Sequence, residues 1–132
     1  MRVVADSQAI VWYLQDSPRI SERGLSALTN AEANGGVVVS AATLVDLWYV
    51  TQTTRQVTID QLIELRSTLG SSSAIDLHPV DEAVAVTYWG IDRSKLADPW
   101  DRLIVATAKV LSSPIVTSDR AIRALEGLDT IW

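Results

Sequence analysis

Short runs of apolar, mostly β-branched residues recur at 2–5, 37–39, 74–77 and 115–117, and helical patterns fill the intervals between them. Strands alternating with helices restrict a chain to few folds. The crossover connections make the strands parallel, and the helices then cover both faces of the sheet. The expectation is an α/β domain: a three-layer α/β/α sandwich around a central, mainly parallel sheet of four to five strands. Residues 130–132 are the candidate fifth strand, at an edge. At 132 residues the chain is expected to form one domain spanning 1–132, long enough for a single core.

The helical segments are bounded by ordinary start and stop signals. A first helix is expected over 7–15, ended by Asp16-Ser17-Pro18. Ser21 caps a second, which Asn34-Gly35-Gly36 closes through a left-handed turn. A third covers 42–51. A fourth runs from Thr58 or Asp60 to Leu69, closed by Gly70, with a serine loop at 71–73. Asp81 caps a fifth, residues 90–97 form a polar, basic loop, and helices over 99–111 and 121–125 complete the series.

Parallel sheets take their ligands outside the carboxyl ends of the strands. Asp6 and Asp119 each follow a strand directly, Asp119 after Val116-Thr117-Ser118. Asp101 lies three residues into the helix opened by Asp98-Pro99, and Asp46 lies on the helix after the second strand. Four carboxylates are therefore expected along one sheet edge, with Asp98 as a possible fifth. Clustered carboxylates repel one another and take up protons unless a cation relieves them. Hard cations such as Mg2+ prefer oxygen ligands. With one or two such ions, the site could activate water and stabilise the charged transition state of phosphodiester hydrolysis, with no histidine base. Each acid also has a plainer reading. Asp6, Asp98 and Asp119 are good helix N-caps, and Asp101 suits an acidic first turn. Asp46 is different, because it interrupts the apolar run Leu44-Val45-Asp46-Leu47-Trp48.

Composition narrows the classes. Apolar residues make up 48% and charged residues 20%, which suits a globular chain. Cysteine is absent, which excludes disulfides, thiolate metal sites and a cysteine nucleophile. The first residues turn polar too soon for a signal peptide, and no apolar run approaches the ~18–20 residues of a membrane span. A soluble, cytoplasmic protein is expected. Charge is uneven: residues 1–92 carry five basic and eleven acidic side chains, whereas 93–123 carry six basic and three acidic. Arg93, Lys95, Arg102 and Arg120 in that second segment are candidate phosphate contacts, which position a ligand without reading sequence, and the plainer reading is a solvated surface with chance clustering.

The ordered blocks Val4-Ala5-Asp6-Ser7, Ser40-Ala41-Ala42-Thr43-Leu44-Val45-Asp46, Asp98-Pro99-Trp100-Asp101-Arg102-Leu103-Ile104 and Val116-Thr117-Ser118-Asp119 resemble a PIN domain. Within that family they are most similar to VapC-type toxins of bacterial toxin–antitoxin pairs, over nearly the whole chain. The resemblance implies a PIN-like sandwich and an Mg2+-dependent endoribonuclease, with Mn2+ as a substitute, acting on structured RNA such as tRNA or rRNA. It implies a homodimer and a cognate antitoxin, VapB-type, whose C-terminal segment fills the active-site groove, and with it a possible hetero-oligomer. Asp6, Asp46, Asp101 and Asp119 match the family's acidic quartet, with Asp6, Asp101, Asp119 and Asp98 as the implied metal ligands. The family usually carries glutamate at the position of Asp46, which is one methylene shorter. That departure leaves a second reading open: a PIN module of weak or no catalysis that acts mainly by binding its antitoxin.

Two other classes are weighed on the residues. An aspartate-nucleophile phosphatase needs Asp-x-Asp after the first strand, where this chain has Asp6-Ser7-Gln8, and a receiver domain needs a lysine where Arg120 follows Asp119. A non-catalytic binding module would use the acids only as caps. Ser7 and Thr117 flank the acids and could hold a metal-bound water or a phosphate, or serve as caps. His78, the one histidine, reads as structural. Trp48 and Trp89 are expected to bury against the core or a partner, and Trp12-Tyr13 to face the antitoxin or dimer mate. The apolar helices before residue 70 are candidate dimer surfaces.

Overall fold

The three central strands are buried on both sides, so their apolar residues run continuously, whereas the two edge strands are partly exposed and carry polar residues. The computed structural model, which describes residues 1–132, has five strands: β1 (Val3–Ala5), β2 (Val37–Ser40), β3 (Ile75–His78), β4 (Ile115–Val116) and β5 (Thr130–Ile131). All neighbouring pairs are parallel, in the order β3-β2-β1-β4-β5. Seven helices surround them: α1 (Ser7–Leu14), α2 (Glu22–Asn34), α3 (Ala42–Thr53), α4 (Ile59–Ser71), α5 (Glu82–Tyr88), α6 (Pro99–Val110) and α7 (Arg120–Arg123). The expected α/β/α sandwich is present, with five strands and no antiparallel member.

Side-chain alternation divides the core into two layers. Val3, Ala5, Val37, Val39, Ile75 and Val116 face one way and pack with Ile10, Leu28, Leu62 and Leu65. Val4, Val38 and Ile115 face the other way and pack with Val84, Ile104, Val105 and Ile122. Burying a Val, Leu or Ile contributes about 1.5–3 kcal/mol, so the two layers together hold the sheet between its helices. α3 packs against α1, α4 and α6, bridging elements of both layers beside the carboxyl edge of the sheet.

The chain visits β1, β2 and β3 in one direction, then returns to the other side of β1 with β4. The order reverses between β1 and β4, and the crevice at such a switch point is where open parallel sheets hold ligands.

Every boundary falls within two residues of where the sequence puts it, and a few of the differences are instructive. Gly70 does not close α4, which continues to Ser71 and is capped at Ser72. A glycine with open space around it is simply tolerated in the last turn. α3 runs to Thr53, past the expected Thr51. The polar loop at 90–97 is anchored into the core by Ile91 and Leu96. The turn after α2 works as expected but through Gly36, whose φ of 96° is left-handed. Gly35 is needed for another reason: a Cβ there would lie 2.5 Å from the Met1 carbonyl carbon.

Candidate active site

Three of the five acids begin helices. Asp6 caps α1, its Oδ1 accepting from Ala9 N at 2.8 Å. Asp119 caps α7 through Ile122 N at 3.0 Å. Asp98 caps α6, accepting from the amides of Trp100 at 2.8 Å and Asp101 at 3.1 Å. The cap reading is thus correct for all three, and it does not compete with the site. A cap uses one carboxylate oxygen and points the group along the helix N-terminus, where the backbone dipole also favours anions.

Because β1 and β4 are neighbours, Asp6 and Asp119 emerge side by side. Thr117, fully buried, joins them: its hydroxyl donates to Asp6 Oδ2 and accepts from Asp119 N at 3.0 Å. That hydrogen is committed to Asp6, so Thr117 is a positioning residue and not a phosphate contact. Ser7 stays at the cleft, its hydroxyl 3.4 Å from Thr43 Oγ1.

Asp6, Asp46, Asp101 and Asp119 line one cleft of about 730 Å³. Asp98 lies outside its lining, at the rim, yet its charge reaches both Asp46 and Asp101. Burial pushes the Asp101 carboxyl up to about 7, and Asp98, Asp119, Asp46 and Asp6 push it the same way. Burial raises Asp6 to about 6; the bonds from Thr117 and Ala9 oppose the rise, while Asp119 and Asp46 add to it. Asp46 is raised by burial, with Ser7 opposing and Asp98 reinforcing.

No side-chain cation forms an ion pair with these acids. The molecule's one ion pair is elsewhere, between His78 Nε2 and Asp81 at 3.7 Å. Arg102, next to Asp101 in sequence, turns to the Tyr88 ring, its guanidinium carbon 4.8 Å from the centroid, and donates to the Ala97 carbonyl. The donor set therefore fits a hard divalent cation: oxygen-only, self-repelling and unneutralised. No three of the acids stand close enough to enclose an ion as they are. The fit is to an ion that keeps several waters, as Mg2+ usually does.

The basic residues are distributed differently from the sequence expectation. Arg93, Lys95 and Arg120 are exposed, and none of them, nor Arg102, lines the cleft. The cleft's own cations are Arg19 and Arg55, together with the amides Gln8, Gln15 and Gln56. No spacing rule marks them. Each is an isolated cation in the net-acidic segment 1–92, brought to the cleft by the packing of α1 against α3. The aromatic expectations are also revised in part. Trp48 and Trp89 are 45% and 78% exposed, so neither buries against the core. Trp12 packs on Trp132 at 5.8 Å and lines the cleft, and Tyr49 stacks on Trp100 at 6.0 Å.

A wholly parallel sheet with four carboxylates lining one cleft at its switch point defines the class: an α/β protein with an acidic cleft at the carboxyl edge of its strands. More narrowly, the sequence model of the PIN domain matches residues 3–128, and the chain belongs to that family. Among curated proteins none matches the sequence. Solved structures do match. The chain is similar to one in a VapBC2 complex from Rickettsia felis bound to a promoter DNA fragment, at 15% identity and a TM-score of 0.71, covering 98% of this chain and 97% of that one. It is similar to a chain of DNA-bound VapBC from Salmonella typhimurium, at 18% identity and 0.68, covering 98% and 96%. The FitAcB structure from Neisseria gonorrhoeae matches at 24% identity and 0.61, again covering 98% and 96%. At these identities the likeness is one of fold. No helix is long and apolar enough to cross a membrane.

Proposed function

We propose that this chain is a VapC-type toxin: a cytoplasmic, Mg2+-dependent endoribonuclease that cleaves structured RNA, tRNA or rRNA, and is neutralised by a cognate VapB-type antitoxin. The observation that carries the reading is the set of four cleft carboxylates with no cationic partner. The fold neighbours, described as toxin–antitoxin complexes, support the antitoxin half of it.

Asp6, Asp101 and Asp119 would hold the ion, with Asp98 at the rim and Asp46 acting directly or through a water. When bound, the ion supplies an activated water and a counter-charge for the phosphoryl oxygens. The chain's own residues do the rest. Thr117 fixes Asp6 relative to Asp119, the N-terminus of α6 adds positive potential to a site that must accept phosphate, and the apolar layers beneath exclude water from the floor.

The purified chain should cleave tRNA or rRNA, lose that cleavage in EDTA and regain it with Mg2+ or Mn2+. Cleavage that ignores EDTA would overturn the metal role. Growth arrest on expression, relieved by a neighbouring gene, tests the toxin role, and light scattering tests the proposed homodimer. A second reading has one observation in its favour: the acids do not yet converge around a point, and Asp46 is short for its position. On that reading the chain is a weakly active or inactive PIN module that works mainly through its antitoxin. It predicts tight antitoxin binding with no Mg2+-dependent cleavage.

A further inference from the structure

The cleft is lined by side chains of both signs. Its floor carries Asp6, Asp46, Asp101 and Asp119, and its lining also includes Arg19 and Arg55. Of the eleven basic residues in the chain, only these two line it. Arg19 sits in the loop between α1 and α2, and Arg55 in the loop between α3 and α4. Both are exposed. Neither guanidinium makes a hydrogen bond or an ion pair within the chain, although carboxylates line the same cleft. Arg2 donates to Leu111 and Ser113 and Arg102 packs on Tyr88, whereas the five remaining arginines are also unpaired but lie off the cleft. Beside Arg55, Gln56 Oε1 accepts from Gln8 Nε2 at 3.5 Å, which links this loop to α1, the helix that precedes the Arg19 loop.

An acidic floor that takes up one cation serves one phosphate. The phosphates on either side of it carry their own charge, and an unrelieved acidic cleft would repel them. Guanidinium groups suit this task, since their planar fork matches phosphate in a bidentate way. An exposed arginine with no internal partner has that fork free.

We propose that Arg19 and Arg55 form a clamp for the phosphates flanking the scissile one, seating the RNA strand across the cleft without reading its sequence. The clamp rests on the ribonuclease reading above, and it assigns Arg19 and Arg55 as positioning residues. It replaces the 93–120 cations as the main electrostatic footprint of the RNA.

The test compares Arg19→Ala/Arg55→Ala with a charge-matched control, Arg66→Ala/Lys109→Ala, whose residues are exposed and lie off the cleft. Cleavage of unfractionated tRNA is followed with Mg2+ over a range of KCl. The clamp predicts that KM rises about ten-fold or more while kcat stays within about three-fold. It also predicts that the slope of log KM against log salt falls by roughly 1.4, about 0.7 for each single-strand phosphate deprived of its arginine. The double lysine variant should regain the salt slope but only part of the affinity, since lysine has the charge without the fork. The control should match wild type.

An unchanged KM, or an equal rise in the control, overturns the clamp. So does a loss confined to antitoxin binding, which would make the pair a docking site for an acidic peptide. If wild type cleaves nothing, anisotropy of labelled tRNA on the Asp101→Asn protein separates the two ideas. RNA held there, and released by the arginine substitutions, keeps the clamp while the nuclease reading falls. No RNA binding at all sinks both.

Discussion

On one wall of the cleft, β1 and β4 present Asp6 and Asp119 tied together through the Thr117 hydroxyl. On the other, α3 and α6 present Asp46, which Ser7 hydrogen-bonds, and Asp101, whose carboxylate accepts no hydrogen bond; no group links the two acids. The first wall is anchored by strand pairing and helix caps, so its carboxylates stand where the sheet puts them. The second rests on the packing of two helices and on charges that push apart. Asp101 accordingly ends with the more raised carboxyl, about 7 against about 6 for Asp6, although Asp6 is the more buried of the two. Hydrogen bonds that favour the charged form explain the order. A preset half and an adjustable half are what a site needs if it must hold its geometry and still close on an ion.

The largest effect should come from the adjustable wall. Asp101→Asn removes the acid with the least local support and the most charge against it. RNA cleavage should fall about a thousand-fold, the loss of roughly 4 kcal/mol of charge stabilisation. The metal-free protein should melt higher than wild type, because a strained charge is gone, which is the usual exchange of function for stability. Activity and melting temperature moving down together would break the comparison.

The same wall sets the pH dependence. In the folded, metal-free chain Asp101 holds its proton up to about pH 7 and Asp6 to about pH 6, against 3.8 for a free aspartate. Between those values the folded state binds more protons than the unfolded one, so stability falls as pH rises from about 4 to about 7. Melting in EDTA at about pH 5 and about pH 8 checks the sign. Asp101→Asn should flatten the upper part of the fall. Mg2+ should raise the melting temperature more at the alkaline end, where both acids are ionised.

Thr117→Val tests the preset wall by removing one hydroxyl at nearly constant volume. Cleavage and Mn2+ affinity should drop about 10–100-fold, as they do when a ligand loses the group that orients it. Thr117→Ser should restore most of the loss. Equal activity in the valine variant would mean that strand pairing alone fixes Asp6 and Asp119.

The acids of both walls were legible beforehand. Asp6 and Asp119 follow strand ends directly, and a parallel sheet carries local sequence signals straight to its carboxyl edge. Asp101 was legible through the helix start at Asp98-Pro99, and Asp46 through its intrusion into an apolar run. What stayed hidden depends on how helices pack against each other. The spacing around Arg102 gives no hint that it turns to Tyr88. Arg19 and Arg55 look like isolated surface cations until α1 and α3 bring their loops to one cleft. Gly70 misled because glycine is common after helices yet is tolerated in a last turn with open space around it.

Asp46→Glu asks whether the adjustable wall is short of reach. Restoring the longer side chain should raise Mg2+-dependent cleavage a few-fold, and unchanged or lower activity would mean that α3 is already placed for aspartate. The gain is small because Asp46 sits one helical turn inside α3, half-buried, where an added methylene also has to be packed.

Asp98→Asn should give the smallest change and the cleanest separation of cap from charge. Asparagine caps a helix about as well as aspartate, so stability should stay within about 0.5 kcal/mol. The amides of Trp100 and Asp101 keep their acceptor. What disappears is the strongest of the four charges that add to the effect of burial on Asp101. The Asp101 carboxyl should therefore ionise at a lower pH in the metal-free protein, and carbon-13 NMR of the aspartate carboxyls reads that midpoint directly. Asp6, whose neighbours are Asp119 and Asp46, should not move. Cleavage at saturating Mg2+ should change by less than about three-fold if Asp98 stands at the rim, whereas a loss as large as that of Asp101→Asn would make it a ligand equal to the rest. A shift in Asp6 as large as that in Asp101 would show the two walls titrating as one unit, and the division between preset and adjustable halves would have to be given up.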